Sequence, residues 1–223
     1  MDSCIFLRIG KGFFQMLTQK TTQTLAMAIA HEIMQGASWQ EAREIVAGYV
    51  DSNRDWPNAE LIETTLRREL YLLEPDHADI LQHWRQLALY TMQRIDFPLY
   101  LTGSVLNGCA TVYSNLRLAA FTDDAKAVEI ALMQAGIDFE VIDPEPAKPQ
   151  AEIAYGWLVD IPRESLFLKK DKHLRRVGIR LEVFRTKDLY THRYKKTPDE
   201  HQCLLEASGR IDMNELQSLI NDR

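Results

Sequence analysis

The sequence contains few cysteines, and none of them form the close pairs that zinc sites use. Cys4, Cys109 and Cys203 are the three cysteines among 223 residues, and they are widely separated. An odd number of isolated cysteines without a CxxC pair argues against a disulfide framework and against a zinc knuckle. Because structural disulfides are typical of oxidising compartments, their absence favours a reducing cytoplasm.

Long apolar runs are also missing, as are two common catalytic patterns. A transmembrane helix needs about 20 apolar residues, and no stretch of this length is present. Residues 1–20 carry apolar side chains and cations without a convincing signal-peptide cleavage site, so we interpret them as a loose N-terminal extension. Neither a Walker-type GxxxxGK[ST] loop nor a GxSxG elbow occurs. We expect a cytoplasmic protein of bacterial type with no membrane partner.

The charge is unevenly distributed along the chain. Net charge is -6, yet residues 163–196 hold 12 Lys or Arg against 4 Asp or Glu, which leaves 14 against 28 elsewhere. Two tyrosines, Tyr190 and Tyr194, lie among these cations, a composition typical of a surface that faces nucleic acid or phosphate. Because the rest of the chain is acidic, residues 169–196 could instead dock on the protein's own helical region or on a second copy. The basic run of this segment comprises Lys169, Lys170, Lys172, Arg175 and Arg176, followed by Arg185, Lys187, Arg193, Lys195 and Lys196.

Helical periodicity dominates the first part of the chain. Apolar residues recur at helical spacing through residues 21–95, which predicts a helical region of four helices. Ser38 to Glu41 reads SWQE, a capping box that begins the second helix, and Pro75-Asp76 begins the fourth. Strand-like and helical segments then alternate through residues 96–223. The sequence therefore predicts an α+β protein with a helical region followed by an α/β domain that carries the basic segment.

The stretch from Phe97 to Phe121 combines two predicted strands with a sharp glycine turn. A short apolar strand ends at Gly103, where the backbone must turn abruptly. Ser104 follows as a predicted helix N-cap, and Gly108 permits close approach of the backbone. A second buried strand is predicted at Leu116 to Phe121.

The spacing within this stretch resembles the signature of a known family. Gly103-Ser104, Gly108, Ser114 and Leu118 match GSxxxGxxxxxSDxDL, the pattern of the nucleotidyltransferase superfamily with the polymerase-β-like fold. This resemblance implies a nucleotidyltransferase-like mixed β-sheet flanked by helices. It also implies that phosphates would bind at the glycine-serine turn, near two aspartates that hold a pair of magnesium ions.

The two aspartate positions of the family pattern are changed in this chain. Asn115 and Arg117 occupy them, and Arg117 places a permanent positive charge where a divalent cation would bind. A third carboxylate of the family comes from a neighbouring strand, here predicted at Ile179 to Phe184, where Arg180 and Glu182 share a face. We therefore assign no catalytic or metal-binding residue. Mg²⁺ is expected as a cofactor only if the protein is an active nucleotidyltransferase.

Three aspartates near predicted strand ends could rebuild a metal site displaced from the family position. They are Asp123, Asp124 and Asp143. Helix capping by the first two and solvation of Asp143 in a loop are the simpler interpretation.

Several hypotheses follow for function. The preferred one is a nucleotidyltransferase-like pseudoenzyme that binds a nucleotide, another phosphate-bearing ligand or a protein partner. Its phosphate-binding candidates are Gly103, Ser104, Gly108, Arg117 and Arg180. One alternative is an active Mg²⁺-dependent nucleotidyltransferase with unconventional ligands, and another is an interaction module that binds nucleic acid or protein through the basic segment. A simpler interpretation of the arginines is that they pair with acidic neighbours such as Glu182 on one sheet face.

Overall fold

The described chain separates into two compact units. A computed structural model of the protein describes residues 22–49, 56–146, 149–161, 165–191 and 197–222. One unit comprises the described residues up to Glu74, and the other begins at Pro75. The predicted loose extension at residues 1–20 lies outside the described residues.

The first unit is helical, as predicted. Its helices are Thr22–Met34 (α1), Trp39–Ala47 (α2) and Ala59–Leu73 (α3). The capping box at the start of α2 is confirmed: the Glu41 backbone N–H donates to Ser38 Oγ at 3.2 Å, and the Ser38 backbone N–H donates to Glu41 Oε2 at 2.8 Å. Apolar side chains on the inner faces of the helices form a small core of Leu25, Ala26, Ala28, Ile29, Ala42, Val46 and Ile62.

The second unit begins with the helix His77–Arg94 (α4), whereas the helical periodicity grouped this segment with the preceding helices. Its Trp84 is fully buried and donates its indole N–H to the carbonyl oxygen of Thr111 at 2.8 Å. Further helices of this unit are Gly103–Asn107 (α5), Ala125–Gln134 (α6), Leu166–Lys170 (α7), Asp188–Thr191 (α8) and Met213–Asn221 (α9). Across the described ranges, no helix combines the length and apolar character needed to cross a membrane.

A five-stranded sheet forms the centre of the second unit. Its strands are Leu99–Thr102 (β1), Leu116–Phe121 (β2), Glu140–Ile142 (β3), Ile153–Asp160 (β4) and Arg176–Phe184 (β5). The strand order is β1-β2-β5-β4-β3, so the described strands form an open sheet rather than a barrel. Strands β2 and β5 are parallel, and the other neighbouring pairs are antiparallel. The predicted α+β class with a mixed sheet is confirmed.

One face of the sheet is apolar, and the other carries charged side chains together with a cluster of aromatic side chains. Because successive side chains of a strand alternate between faces, β2 and β5 each divide into two sets. One set is buried in the core with residues of α4, α5, α6 and α9: Leu116, Leu118, Ala120, Ile179, Leu181 and Val183. The other set includes Arg117, Arg180 and Glu182, which define what we call the polar face.

The start of α5 differs from the prediction. Helix α5 begins at Gly103, and Thr102 occupies the N-cap position with an extended backbone. The prediction that Ser104 is an N-cap is therefore wrong, because Ser104 already lies in the first turn of the helix. Gly103 itself has a φ of 72°, a left-handed conformation that favours glycine and lets the helix start directly after β1.

Candidate functional site

The glycine-serine turn joins β1 to α5, as predicted. Gly103 and Ser104 lie together at the first turn of α5, whereas Gly108 lies at the opposite end of the helix. Gly108 has a φ of 84°, and its backbone N–H donates to the carbonyl oxygen of Ser104. The carbonyl oxygen of Gly108 is hydrogen-bonded to Nε2 of His77 at 3.0 Å. Gly108 therefore ends a helix, and its backbone groups are already hydrogen-bonded.

Gly103 gives space to the side chain of Arg117. A Cβ atom placed on Gly103 would lie 2.8 Å from Cδ of Arg117 and 3.4 Å from its Cβ. Real Cβ atoms do not approach another carbon this closely, so a larger residue at position 103 would force the Arg117 side chain to shift. The aliphatic stem of Arg117 thus packs against the turn, and its guanidinium lies on the polar face.

Two arginines lie side by side on the polar face. Arg117 on β2 is the register partner of Arg180 on β5. Neighbouring strands of a sheet are about 4.8 Å apart, so two like charges at register positions need nearby anions. The Nε of Arg180 donates to Oε1 of Glu182 at 3.2 Å, which confirms the predicted pairing of these two residues. Arg180 is 20% exposed and Glu182 is 17% exposed, so this pair is partly shielded from water.

The partner of Arg117 comes from a loop in which the sequence carries no signal for a site residue. Nη2 of Arg117 donates to Oε1 of Glu145, a residue of the loop between β3 and β4. Glu145 Oε1 is also 4.0 Å from Nε of Arg180. The stretch Asp143 to Gln150 has neither strand nor helix period and is typical of an extended proline-rich connection. No local pattern therefore identifies Glu145.

Backbone groups of the same loop are bound to the polar face. The Glu145 backbone N–H donates to Oε1 of Glu182 at 3.1 Å, and the carbonyl oxygen of Asp143 accepts from Nη2 of Arg180. We call residues 143–146 the strap, since contacts with both β2 and β5 hold it against the sheet. The strap therefore lies at the arginine pair.

Opposing effects act on the pKa of Glu145. Partial burial raises the pKa of this carboxyl, but the hydrogen bond and charge of Arg117, together with the charge of Arg180, lower it by more. The net result is a pKa below the ordinary value, so Glu145 is ionised at neutral pH. Two guanidinium groups and two carboxylates thus form a charge-balanced network.

The residues at the family's metal positions do not fit a pair of magnesium ions. Asn115 directly precedes β2, and its Oδ1 would lie only 2.5 Å from a Cβ placed on Gly178. Arg117 is a fixed cation, and Oε1 of Glu182 already accepts two N–H groups. Mg²⁺ prefers several oxygen ligands in octahedral geometry, which one amide and one carboxylate do not supply. Among the residues that the structure describes, no cluster of three or more His, Cys, Asp or Glu could hold a metal.

Two of the acidic residues considered as substitute ligands have structural partners. Asp124 caps α6 and accepts from the backbone N–H groups of Lys126 and Ala127 at 3.1 and 3.3 Å. Asp123 Oδ1 accepts from the Thr186 backbone N–H at 3.3 Å. These carboxylates hold the end of β2 and the start of α6.

The basic segment is partly neutralised within the second unit. Lys170 pairs with Asp76 at 3.0 Å, and Arg176 pairs with Asp160 at 2.9 Å. Arg185 pairs with Glu152. Residues 192–196 lie outside the described residues. These pairs favour docking of the segment on acidic positions of the same unit, and nucleic-acid binding through residues 169–196 stays a prediction.

No family model, curated protein or solved structure matches the chain. The resemblance to nucleotidyltransferases thus depends on the short pattern from Gly103 to Leu118, and it stays a prediction.

Proposed function

We propose that the protein binds a phosphate-bearing ligand, with a nucleotide as the first candidate, on a nucleotidyltransferase-like scaffold that has lost two-metal catalysis. One observation carries the proposal. Arg117, which packs against the Gly103 turn at a position where the family pattern has an aspartate, is the register partner of Arg180 on the neighbouring parallel strand.

Guanidinium groups suit this role for a physical reason. A guanidinium is planar, always charged, and donates two parallel hydrogen bonds to phosphate or carboxylate oxygens. Two of them on neighbouring strands can contact different oxygens of one phosphate group or of adjacent phosphates. Because Arg180 is only 20% exposed, its interaction with an anion is screened less than that of a fully exposed arginine.

The same arginines argue against the enzymatic alternative. Two-metal phosphoryl transfer needs anionic ligands that hold the cations and offset their charge. In this chain the nearby carboxylates Glu145 and Glu182 already pair with Arg117 and Arg180, so they do not supply the free anionic ligands that two cations need. The alternative predicts that Mg²⁺ increases the thermal stabilisation produced by a nucleoside triphosphate, and that labelled nucleotide is transferred. Transfer that Ser104→Ala abolishes would contradict the loss of catalysis.

Binding measurements on arginine variants test the proposal. Titration calorimetry with ATP and with pyrophosphate, in low salt and without metal, should show binding to the wild-type protein. Arg117→Gln and Arg180→Gln should each weaken it at least about tenfold, since a hydrogen bond to a charged group contributes roughly 1.5–3 kcal/mol. Arg176→Gln is the matched control, because Arg176 lies on the same strand as Arg180 but pairs with Asp160. Affinity that neither Arg117→Gln nor Arg180→Gln changes, or no wild-type binding at millimolar ligand, would overturn the proposal.

A further inference from the structure

The strap contacts the polar face through both backbone and side chain. Its Asp143 carbonyl accepts from Arg180, its Glu145 backbone N–H donates to Glu182, and its Glu145 carboxylate accepts from Arg117. Two residues of the strap thus reach two neighbouring strands. The strap is therefore positioned specifically over the arginine pair.

The carboxylate of Glu145 has the chemistry of the ligand proposed for this position. Carboxylate and phosphate oxygens accept the same paired hydrogen bonds from guanidinium groups. Glu145 Oε1 is hydrogen-bonded to Arg117 and lies 4.0 Å from Nε of Arg180, so a single oxygen faces both cations. An anion that binds both arginines would need the space that this oxygen occupies.

We infer that the strap is a built-in competitor, in which Glu145 occupies the anion site of Arg117 and Arg180 until a polyphosphate displaces it. This inference depends on the proposed function and adds a means of regulation to the same site. Glu182 stays with Arg180 during the exchange, because its contact with Nε lies within β5.

The composition and exposure of the strap suit a segment whose carboxylate binds the arginines and can be displaced by a ligand. Pro144 and Pro146 flank Glu145, and proline restricts the backbone before and after it. Less conformational entropy is therefore lost when the carboxylate docks. Glu145 is 38% exposed and Arg117 is 40% exposed, so solvent and ligand can reach the contact. A ligand with several negative charges is favoured over a single carboxylate, since its larger charge is attracted more strongly to the two guanidinium groups.

The experiment compares Glu145→Gln with the wild-type protein, using pyrophosphate as the probe in the absence of metal. Removing the competing charge should tighten pyrophosphate binding about tenfold, because the ligand no longer has to break a charge-assisted hydrogen bond. Glu152→Gln should leave the affinity unchanged. Glu152 is a suitable control because it also pairs with an arginine, Arg185, away from the strap. Inorganic phosphate should show the same direction of change with a smaller effect.

A second measurement follows the strap itself. Amide exchange of Glu145, detected by NMR, should become faster when pyrophosphate binds the wild-type protein, because displacement breaks the hydrogen bond to Glu182. If the wild type binds and Glu145→Gln binds no more tightly, the inference is overturned while the proposed function stands. Slower exchange on binding would also overturn it, since the strap would then be part of the bound site. If neither protein binds pyrophosphate, both proposals fall.

Discussion

Arg117 lies beside Arg180 on a neighbouring parallel strand, and each guanidinium is hydrogen-bonded to a different carboxylate. Glu182 comes from the same strand as Arg180, whereas Glu145 comes from the loop between β3 and β4. The charges balance, yet one of the two carboxylates belongs to an irregular segment outside the sheet. This asymmetry is the basis of both proposals.

The turn at Gly103 gives a prediction about stability. Gly103→Ala should destabilise the protein by about 1–2 kcal/mol from the left-handed backbone, and by roughly 1 kcal/mol more from crowding against Arg117. Gly136→Ala is the matched control, because Gly136 has a φ of 65° and no atom lies within 4 Å of the position that a Cβ would take. Urea unfolding measures both free energies.

A double variant separates the two contributions at Gly103. When Arg117→Ala is present, Gly103→Ala should cost about as much as Gly136→Ala does, because the Cδ atom that lies 2.8 Å from the added Cβ is gone. Equal costs for Gly103→Ala and Gly136→Ala in the otherwise wild-type protein would show that Arg117 does not restrict the turn.

A buried ion pair holds α5 in place. Arg85 is fully buried on α4, donates to Glu206 Oε1 at 2.7 Å, and also donates to the carbonyl oxygens of Val105 and Leu106 on α5 at 3.3 and 3.2 Å. Arg85→Met should lower the free energy of unfolding by about 3–5 kcal/mol, since Glu206 is left buried and charged. The exposed ion pair between Arg176 and Asp160 is the comparison, and Arg176→Met should lower the free energy of unfolding by no more than about 1 kcal/mol. A small effect of Arg85→Met in urea unfolding would contradict this role.

Stability should depend on pH through Glu145. Its pKa in the folded protein lies below the ordinary 4.5, so ionised Glu145 stabilises the fold above pH 4.5, and this contribution is lost as pH falls through the folded pKa. The charged groups that face it are Arg117, Arg180 and Glu182. The difference in unfolding free energy between wild type and Glu145→Gln should therefore be largest near neutral pH and shrink in acid. Glu152→Gln controls for removal of one carboxylate elsewhere, and a constant difference across pH would refute the prediction.

Two capping boxes should stabilise one helix in each unit. Ser38 and Glu41 cap α2, and Asp212 and Glu215 cap α9 in the same reciprocal way. Ser38→Ala and Asp212→Ala should each cost about 1 kcal/mol, because backbone N–H groups of the first turn lose their acceptor. Ser218→Ala, in the exposed part of α9, should be neutral or slightly stabilising, since alanine favours helix. Thermal unfolding followed by circular dichroism measures all three, and an equal effect of Ser218→Ala would argue against capping.

Local patterns in the sequence determined most of the secondary structure. The capping box at Ser38, the helix after Asp76 and the strand Leu116–Phe121 all follow from residues within a few positions of one another. The predicted N-cap at Ser104 is wrong because the helix already begins at Gly103. Glycine can adopt the left-handed conformation seen there, and no periodic pattern in the sequence indicates this. The alternation of Arg180 and Glu182 likewise predicted their shared face and their pairing.

The tertiary structure decided which of these elements meet at the candidate site. Arg117 and Arg180 meet because β2 and β5 pair in parallel, although two other strands lie between them in the chain. Glu145 reaches them because the loop after β3 crosses the polar face, and its side chain has no periodic pattern that could reveal its direction. Periodicity reports which residues share a face of one element, whereas strand pairing and loop path depend on packing between distant parts of the chain. The sequence by itself thus identified Arg117 and Arg180 as candidate site residues and predicted the turn at Gly103. Only the tertiary structure placed the carboxylate of Glu145 near both guanidinium groups.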